Sequence, residues 1–295
     1  MIRSGRVVAR YRRHCLVETA GEERIPCQIG KRSLRPVAGD SVDWRPEPEA
    51  RGVILAVHPR DTELKRTDSR GRPEVVAANL TQLVVVIAAA PPPDWFLVDR
   101  YLAAAELSRL GCVLVFNKLD LAPARPRELE DYRDLVTRIC LTSAKGAQNL
   151  DDLAVCLRDH RSALIGQSGV GKSSLINALL GDSLQQVNEL SEKSGLGRHT
   201  TSTAVLYRLP GGGELLDSPG VRDYAPHIED PRDVQSGFRE FGAYVGKCRF
   251  DDCAHLAEPE CAVKAAVDSG AVTERRYASY RALLDLTRSL NRGPR

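Results

Sequence analysis

The densest run of reactive chemistry in the chain is Gly166-Gln167-Ser168-Gly169-Val170-Gly171-Lys172-Ser173-Ser174. Its first eight residues fit G-x-x-x-x-G-K-[ST], with the apolar run "SALI" before them and "SLINALL", a helix former, after them. Strand, glycine loop and helix in that order make a phosphate cradle. Backbone N–H groups converge on a β-phosphate, the helix N-terminus adds positive potential, Lys172 can bridge β- and γ-phosphates, and Ser173 can ligate Mg²⁺. Farther on, "DSPG" (217–220) ends another apolar run. There Asp217 can hold the metal through water, and the Gly220 N–H can reach the γ-phosphate. D-x-x-G is common by itself and gains weight only from lying downstream of the phosphate loop.

Asn117-Lys118-Leu119-Asp120 follows the apolar "VLVF" and could read a base. Asp120 can accept from guanine N1–H and the exocyclic amine together, whereas adenine offers an acceptor at N1. Such bidentate contacts discriminate by about 1–3 kcal/mol, and more when buried. Asn117 would support the loop and approach N7, and the Lys118 stem would lie along the ring. Ser143-Ala144-Lys145, at the end of the next apolar run, would supply a backbone N–H for guanine O6. The polar segment "SEKSGLGRHTTST" (191–203) suits a switch loop closing on Mg²⁺ and the γ-phosphate, with Thr200 or Thr201 as a metal ligand; a plain hydrophilic loop is the other reading of its composition. Val221 follows DSPG where many GTPases carry a water-orienting Gln, so His199 is the candidate for positioning water. In ordinary small GTPases the phosphate loop precedes the base-reading loop, and here it follows. A sheet whose loops all leave at its carboxyl edge assembles the same site whichever strand comes first, so this order is that of a circular permutation.

Of eight cysteines, Cys15, Cys27, Cys112, Cys140 and Cys156 are scattered, while Cys248, Cys253 and Cys261 surround His255. Spacing of Cys-x4-Cys-x-His-x5-Cys offers three thiolates and one imidazole to a tetrahedral, closed, structural Zn²⁺, against the alternative of unrelated free cysteines. That distribution argues against a disulfide frame.

The elements that must position these residues fall into three stretches. At 295 residues, with 42% hydrophobic and 27% charged residues, the chain holds two or three folded units. No apolar run reaches the length of a membrane span, and the N-terminus lacks the pattern of a secretory signal, so a cytoplasmic, membrane-free protein is expected. Residues 1–75 carry short β-rich runs broken by turns ("RVVARY", "HCLVET", "RIPCQI", "VAGDSVDW", "GVILAVHP"). Five such strands suggest a small all-β barrel, with an oligonucleotide-binding (OB) fold the natural candidate and another small β-domain the alternative. "RTDSRGRPE" (66–74) reads as a linker or mobile loop. Residues 76–230 alternate buried-strand runs with a helix around "WFLVDRYLAAAELSRL", giving an α/β domain with a mostly parallel sheet. Residues 231–295 hold the Cys/His cluster and a helix expected from about Ser269 to Leu290. The three stretches contain 16, 15 and 11 Lys and Arg against 11, 19 and 9 Asp and Glu. Basic flanks around an acidic middle suggest RNA held by the two ends, with affinity that falls as salt rises.

The chain resembles, over nearly its full length, the ribosome small-subunit-dependent GTPase A family (RsgA). The resemblance rests on "VAGDSVDW", "GVILAVHPRDTELKR", "NKLD", "SAKG", "GQSGVGKSSLINAL", "GLGRHTTS", "LLDSPGVRDY" and "CRFDDCAHLAEPECAV". It implies an OB barrel, a circularly permuted GTPase domain and a C-terminal zinc domain. It also implies a role in late maturation of the small (30S) subunit, with GTP hydrolysis stimulated by that subunit. The family's guanine motif carries onto Asn117, Lys118 and Asp120, its phosphate loop onto Gly166 to Ser174, its zinc ligands onto Cys248, Cys253, His255 and Cys261, and its proposed catalytic histidine onto His199. GTP and GDP, 16S rRNA, Mg²⁺ and one Zn²⁺ per chain are the expected ligands, and the expected state is a monomer. The rival expectations are an ATP-using P-loop enzyme and an RNA-binding module with a relic nucleotide site. Because the segment after DSPG runs directly into the C-terminal stretch, loss of the γ-phosphate is expected to be felt there through residues 217–230.

Overall fold

Short strands that alternate or bury both faces dominate the first sixty residues. The structure, a computed structural model, describes residues 1–11, 14–68, 71–122, 124–181, 204–217 and 226–291. β1 (Arg3–Arg10), β2 (His14–Glu18), β3 (Arg24–Ile29), β4 (Ser41–Glu47) and β5 (Arg51–Val57) pair in the order β1-β2-β3-β5-β4. β4 returns to β1 (Arg3↔Trp44, Gly5↔Val42), so the five strands close into a barrel. All its pairings are antiparallel except β3 with β5 (Cys27↔Gly52). Val7, Val17, Ile25, Val42, Trp44 and Ile54 fill the interior.

The described residues of "RTDSRGRPE" (66–68 and 71–74) include the facing ends of two paired strands, which corrects the expectation of a linker there. β6 (Glu63–Thr67) and β7 (Pro73–Ala78) form a two-stranded ribbon, with Arg66 and Glu74 paired across it at 2.8 Å. Such a charged pair stabilises the ladder as apolar alternation would, without leaving an apolar signature in the sequence. The Ala78 N–H donates to Ala38 O at 3.1 Å, and Arg60 donates to the fully buried Asp40 at 2.7 Å, tying the ribbon's base to the barrel.

β8 (Gln82–Ala88), β9 (Gly111–Asn117), β10 (Arg138–Leu141), β11 (Arg161–Ile165) and β13 (Glu214–Asp217) lie in the order β10-β9-β8-β11-β13, every neighbour parallel. β8 is buried at all seven positions, as a central parallel strand covered on both faces must be. α1 (Trp95–Leu107) lies on one face, and α2 (Leu150–Leu157) and α3 (Lys172–Leu180) contribute to the other core. β12 (Ala204–Arg208) is antiparallel to β13 on one side and to β1 on the other (Ala9↔Val205). Barrel and sheet are therefore one continuous hydrogen-bonded surface. Charges rivet the seam: Glu18, 4% exposed, receives Arg6 at 2.9 Å and Arg208 at 2.8 Å, while Arg6 and Arg161 share Glu214. Burial opposes ionisation of Glu18, yet the Arg208, Arg24 and Arg6 guanidiniums hold its carboxyl below the usual carboxylate range.

Beyond residue 230, two short 3-10 stretches (Pro231–Gly237 and Arg239–Ala243) lead into α4 (Ala262–Asp268) and α5 (Glu274–Asn291). The expected helix start at Ser269 is corrected: Ser269 and Gly270 close α4, and α5 begins five residues later. Phe238, Phe241, Tyr280, Leu283 and Leu284 form its core with Ala103 of α1. The fully buried Asp99 of α1 accepts from Tyr132 Oη (2.6 Å), Arg275 (3.1 Å) and Arg276 (2.8 Å). Arg276, 3% exposed, also donates to Glu240 at 2.6 Å and lies 4.6 Å from the Phe238 ring centroid. His227 donates its N–H to Lys65 O at 3.1 Å, and Asn291 donates to Ile228 O and Glu229 O, so residues 227–229 run between the ribbon and the end of α5. Among the described residues no helix is long and apolar enough to cross a membrane.

Removing one side of a buried ion pair leaves the other charge desolvated, at a cost of about 3–5 kcal/mol. Arg276→Ala is accordingly expected to lower the melting temperature and to expose α5 amides to hydrogen exchange; an unchanged melting curve would count against the role given to this network.

Candidate functional site

Because five neighbouring strands are parallel, the loops after β8, β9, β10 and β11 leave at one edge, where β13 also ends, in an order unrelated to their order in the chain. That edge gathers most of the expected residues. Gly166 follows β11 at φ +145°, where a Cβ would lie 2.1 Å from Val86 O. Gly171, at φ +96°, would put a Cβ 2.4 Å from Asn117 Nδ2. Only glycine allows these approaches, and they set the curvature of the loop 166–173 ahead of α3.

Asn117 ends β9 and is 1% exposed. Its Nδ2 donates to Val170 O at 2.9 Å, and its Oδ1 accepts from the Ala144 N–H at 3.2 Å and Thr142 Oγ1 at 3.3 Å. One side chain thus fastens the 143–145 loop to the 166–173 loop. Lys118 stands in the left-handed region at φ +62° and carries Nζ to Ala90 O and Gly169 O, each at 2.6 Å. Asp120 is exposed and accepts from Ser143 Oγ. Lys145 is exposed as well. Across the edge, Lys172 Nζ donates to Gly166 O at 2.6 Å and to Gln167 O, so the ammonium already sits over the cradle. Ser168, Gly169, Ser173 and Ser174 face solvent. Gln167 Oε1 accepts from the Asp94 N–H at 3.1 Å, and Asp94 Oδ1 caps α1 through the Leu97 N–H. Asp217, half-buried, ends β13 next to β11. A cradle of backbone N–H groups, one ammonium and a nearby carboxylate can hold a phosphate chain with its metal. The Asn117–Asp120 and Ser143–Lys145 loops adjoin that cradle, fastened to it by Asn117. Gly220, His199, Thr200, Thr201 and the rest of 191–203 lie outside the described residues.

A second cluster lies in the C-terminal stretch. Ligand atoms of Cys248, Cys253, His255 and Cys261 all fall within 4.8 Å of one another. His255 Nδ1 is 3.5 Å from Cys248 Sγ and 3.4 Å from Cys261 Sγ. Its other nitrogen, Nε2, lies 2.7 Å from Gln235 Oε1. An Nε2–H donated to that carbonyl leaves the Nδ1 lone pair facing the sulfurs, the tautomer a metal needs. Burial, against the pull of Glu258, keeps the His255 pKa below its ordinary value, which favours the neutral ring. Tyr277 and Tyr280 of α5 donate to His255 O (2.6 Å) and Ala254 O (2.8 Å), and Glu258 accepts from the Ala254 and Leu256 N–H groups. Three thiols and an imidazole so held are compatible with a tetrahedral metal ion.

Gln235 escaped the sequence reading, since a glutamine 20 residues ahead of its histidine follows no ligand spacing. Asp94 and Asp99 escaped it as well; nothing in the sequence around α1 shows that one caps the helix and the other is buried.

Comparison with known proteins gives a consistent result. A family model for the RsgA GTPase matches residues 57–226. A protein of Chromohalobacter salexigens named small ribosomal subunit biogenesis GTPase RsgA is 44% identical over 292 residues, covering 96% of this chain and 86% of the relative. The protein of the same name from Haemophilus influenzae is 40% identical, covering 95% and 84%. Among solved structures, YjeQ from Thermotoga maritima superposes with a TM-score of 0.79 at 33% identity over 97% of this chain and 99% of its own. YloQ, described as a circularly permuted GTPase, superposes with a TM-score of 0.74 at 25% identity, covering 100% and 97%.

Proposed function

This chain belongs to the RsgA GTPase family, and from that premise we propose that it hydrolyses GTP as an assembly factor for the small ribosomal subunit. One observation carries the reading: Asn117 is hydrogen-bonded at once to the phosphate loop and to the 143–145 loop, so base and phosphate sites form a single rigid unit. The circularly permuted GTPase fold with its N-terminal barrel accounts for the reversed motif order. In this proposal residues Gly166 to Ser174 hold the phosphates, Asn117, Lys118, Asp120, Ser143, Ala144 and Lys145 hold guanine, and Ser173, Asp217 and one of Thr200 and Thr201 serve Mg²⁺, with the Gly220 N–H at the γ-phosphate. Mg²⁺ would neutralise charge on the phosphates; Lys172 would leave the Gly166 and Gln167 carbonyls for phosphate oxygens; His199 would position water.

The division proposed is an OB-fold barrel in 1–75, a GTPase domain in 76–230 and a zinc-binding domain in 231–295. Strand order β1-β2-β3-β5-β4 with closure onto β1 supports the first assignment. An open cleft of about 610 Å³ on the barrel is lined by Arg10, His14, Lys31, Arg32 and Arg35 with no acidic residue. That charge suits rRNA phosphates, and 16S rRNA of the 30S subunit, in the cytoplasm, is the proposed partner of a monomeric chain. Zn²⁺ is the proposed ion for Cys248, Cys253, His255 and Cys261, because a closed thiolate-rich tetrahedral set matches its structural sites. GTP hydrolysis would release the factor, the change passing through residues 217–230 to the C-terminal stretch.

Phosphate release measured with purified small subunits tests the central reading: stimulation over the free protein is expected, and its absence would sink it. In that assay His199→Ala should depress turnover while GTP affinity stays near wild type; a matching loss of affinity would move His199 from water positioning to pocket shape. Asp120→Asn should shift preference from guanine to xanthine nucleotides, because the amide donates where the carboxylate accepted, and retained guanine preference would remove Asp120 from the base site. Elemental analysis of the native protein should return about one zinc per chain, as four closed ligands bind one ion.

A further inference from the structure

Two cysteines outside the metal cluster face each other beside the proposed base site. Cys140, in β10, is 3% exposed, and Cys156, in the last turn of α2, is half-buried; their sulfurs lie 3.6 Å apart. Ser143, Ala144 and Lys145 fall between them in the chain. Loop 142–149 is pinned at both ends: the Thr142 N–H donates to Phe116 O, Ser143 and Gln148 exchange backbone hydrogen bonds, and Asn149 Nδ2 donates to Leu141 O. The backbone of α2 is in turn held by Gln82 Nε2, which donates to Cys156 O at 2.8 Å. This is a short, braced loop whose two stems carry one thiol each, within reach of one another.

We propose that Cys140 and Cys156 are a peroxide-responsive dithiol whose disulfide deforms the guanine loop. Hydrogen peroxide is the oxidant. The Cys156 thiolate attacks one peroxide oxygen, the S–O bond forms as the O–O bond breaks, and the hydroxide released leaves as water with the thiol's proton. Cys140 then attacks Cys156 Sγ. The S–S bond forms, the S–O bond breaks, and the second hydroxide takes the Cys140 proton, so that two thiols and one peroxide give one disulfide and two waters. Exposure assigns the roles: Cys156 is the more exposed residue of the two, while burial, aided by Cys156 itself, pushes the Cys140 thiol up to about 12 and keeps it protonated until the sulfenic acid forms beside it.

The new S–S bond, about 2.05 Å long where the sulfurs now stand 3.6 Å apart, tethers β10 to α2 on either side of the loop and draws them together. The hydrogen bond from the Ala144 N–H to Asn117 Oδ1 at 3.2 Å ties the loop to the rest of the site, and the shift is delivered to it. The consequence for nucleotide binding rests on the guanine site proposed above; formation of the disulfide does not.

The test uses the full-length, metal-loaded protein treated with hydrogen peroxide, its free thiols then alkylated and its peptides mapped by mass spectrometry without reduction. A linked pair of peptides carrying Cys140 and Cys156 is expected. GDP affinity of the oxidised protein should fall about tenfold, the scale of one lost hydrogen bond, and recover with dithiothreitol. Cys156→Ser, a conservative change at a half-buried position, should bind GDP as the reduced wild type does and lose the peroxide response. A chelating dye in the same sample reports metal released by oxidation of Cys248, Cys253 or Cys261. Oxidation confined to those three residues, over-oxidation of Cys156 without a link to Cys140, or a linked protein with unchanged GDP affinity would each overturn the proposal. Failure of the reduced wild type to bind GDP would instead fall on the proposed function, leaving the mapping of the disulfide to stand by itself.

Discussion

Backbone hydrogen bonding between parallel strands obliges each loop that follows a strand to emerge at the same edge. In β10-β9-β8-β11-β13 this holds for five strands in succession, and the site is built from what those loops carry. Chain order is then free to vary. Asn117 and Asp120 come before Gly166 and Lys172 in sequence, yet Asn117 Nδ2 lies against Val170 O. A fold dependent on hairpins between sequence neighbours would not tolerate such a reordering. Parallel strands need long crossovers in any case, so the position of the chain ends matters little to the sheet.

The permutation places the ends where other units can join the sheet. At one end the barrel is continuous with it, because β1 pairs with β12 as well as with β2 and β4. At the other, α1 carries the buried Asp99 that receives Arg275 and Arg276 of α5. Burying charge is expensive and is tolerated only where partners meet it at hydrogen-bonding distance, so this network admits few alternative placements of α5 on α1. The same helix begins at Asp94, in contact with Gln167, and α5 continues to Tyr277 and Tyr280, which hold the backbone of the Cys/His cluster. Direct contacts therefore run unbroken from the glycine loop 166–173 to the Cys/His cluster.

What could be read in advance had a local cause. Glycines at 166, 169 and 171, the Cys/His spacing and the apolar strand runs are dictated by short-range geometry, and each was legible. The five barrel strands were legible because turn residues separate them. The ribbon 63–78 was not, since Arg66 and Glu74 stabilise it by pairing across strands, and a polar run reads as a loop. β12 went unseen because "AVLYR" is short and its partners, β1 and β13, lie far from it or are themselves brief. The start of α5 was misplaced because the apolar positions of α4 continue a similar rhythm across Ser269 and Gly270.

By itself the sequence determined which chemistry each segment is fitted for, because a glycine loop with its lysine, a carboxylate just past an apolar run and a set of three thiols with an imidazole are properties of residue types at short spacing. Only the tertiary structure decided that Asn117 braces two loops, that Gln235 sets the tautomer of His255, that Asp99 must be met by Arg276, and that Cys140 and Cys156 touch. Each of these depends on atoms brought together across 16 to 177 positions of chain. Such distances are settled by the packing of whole elements, which no local pattern encodes.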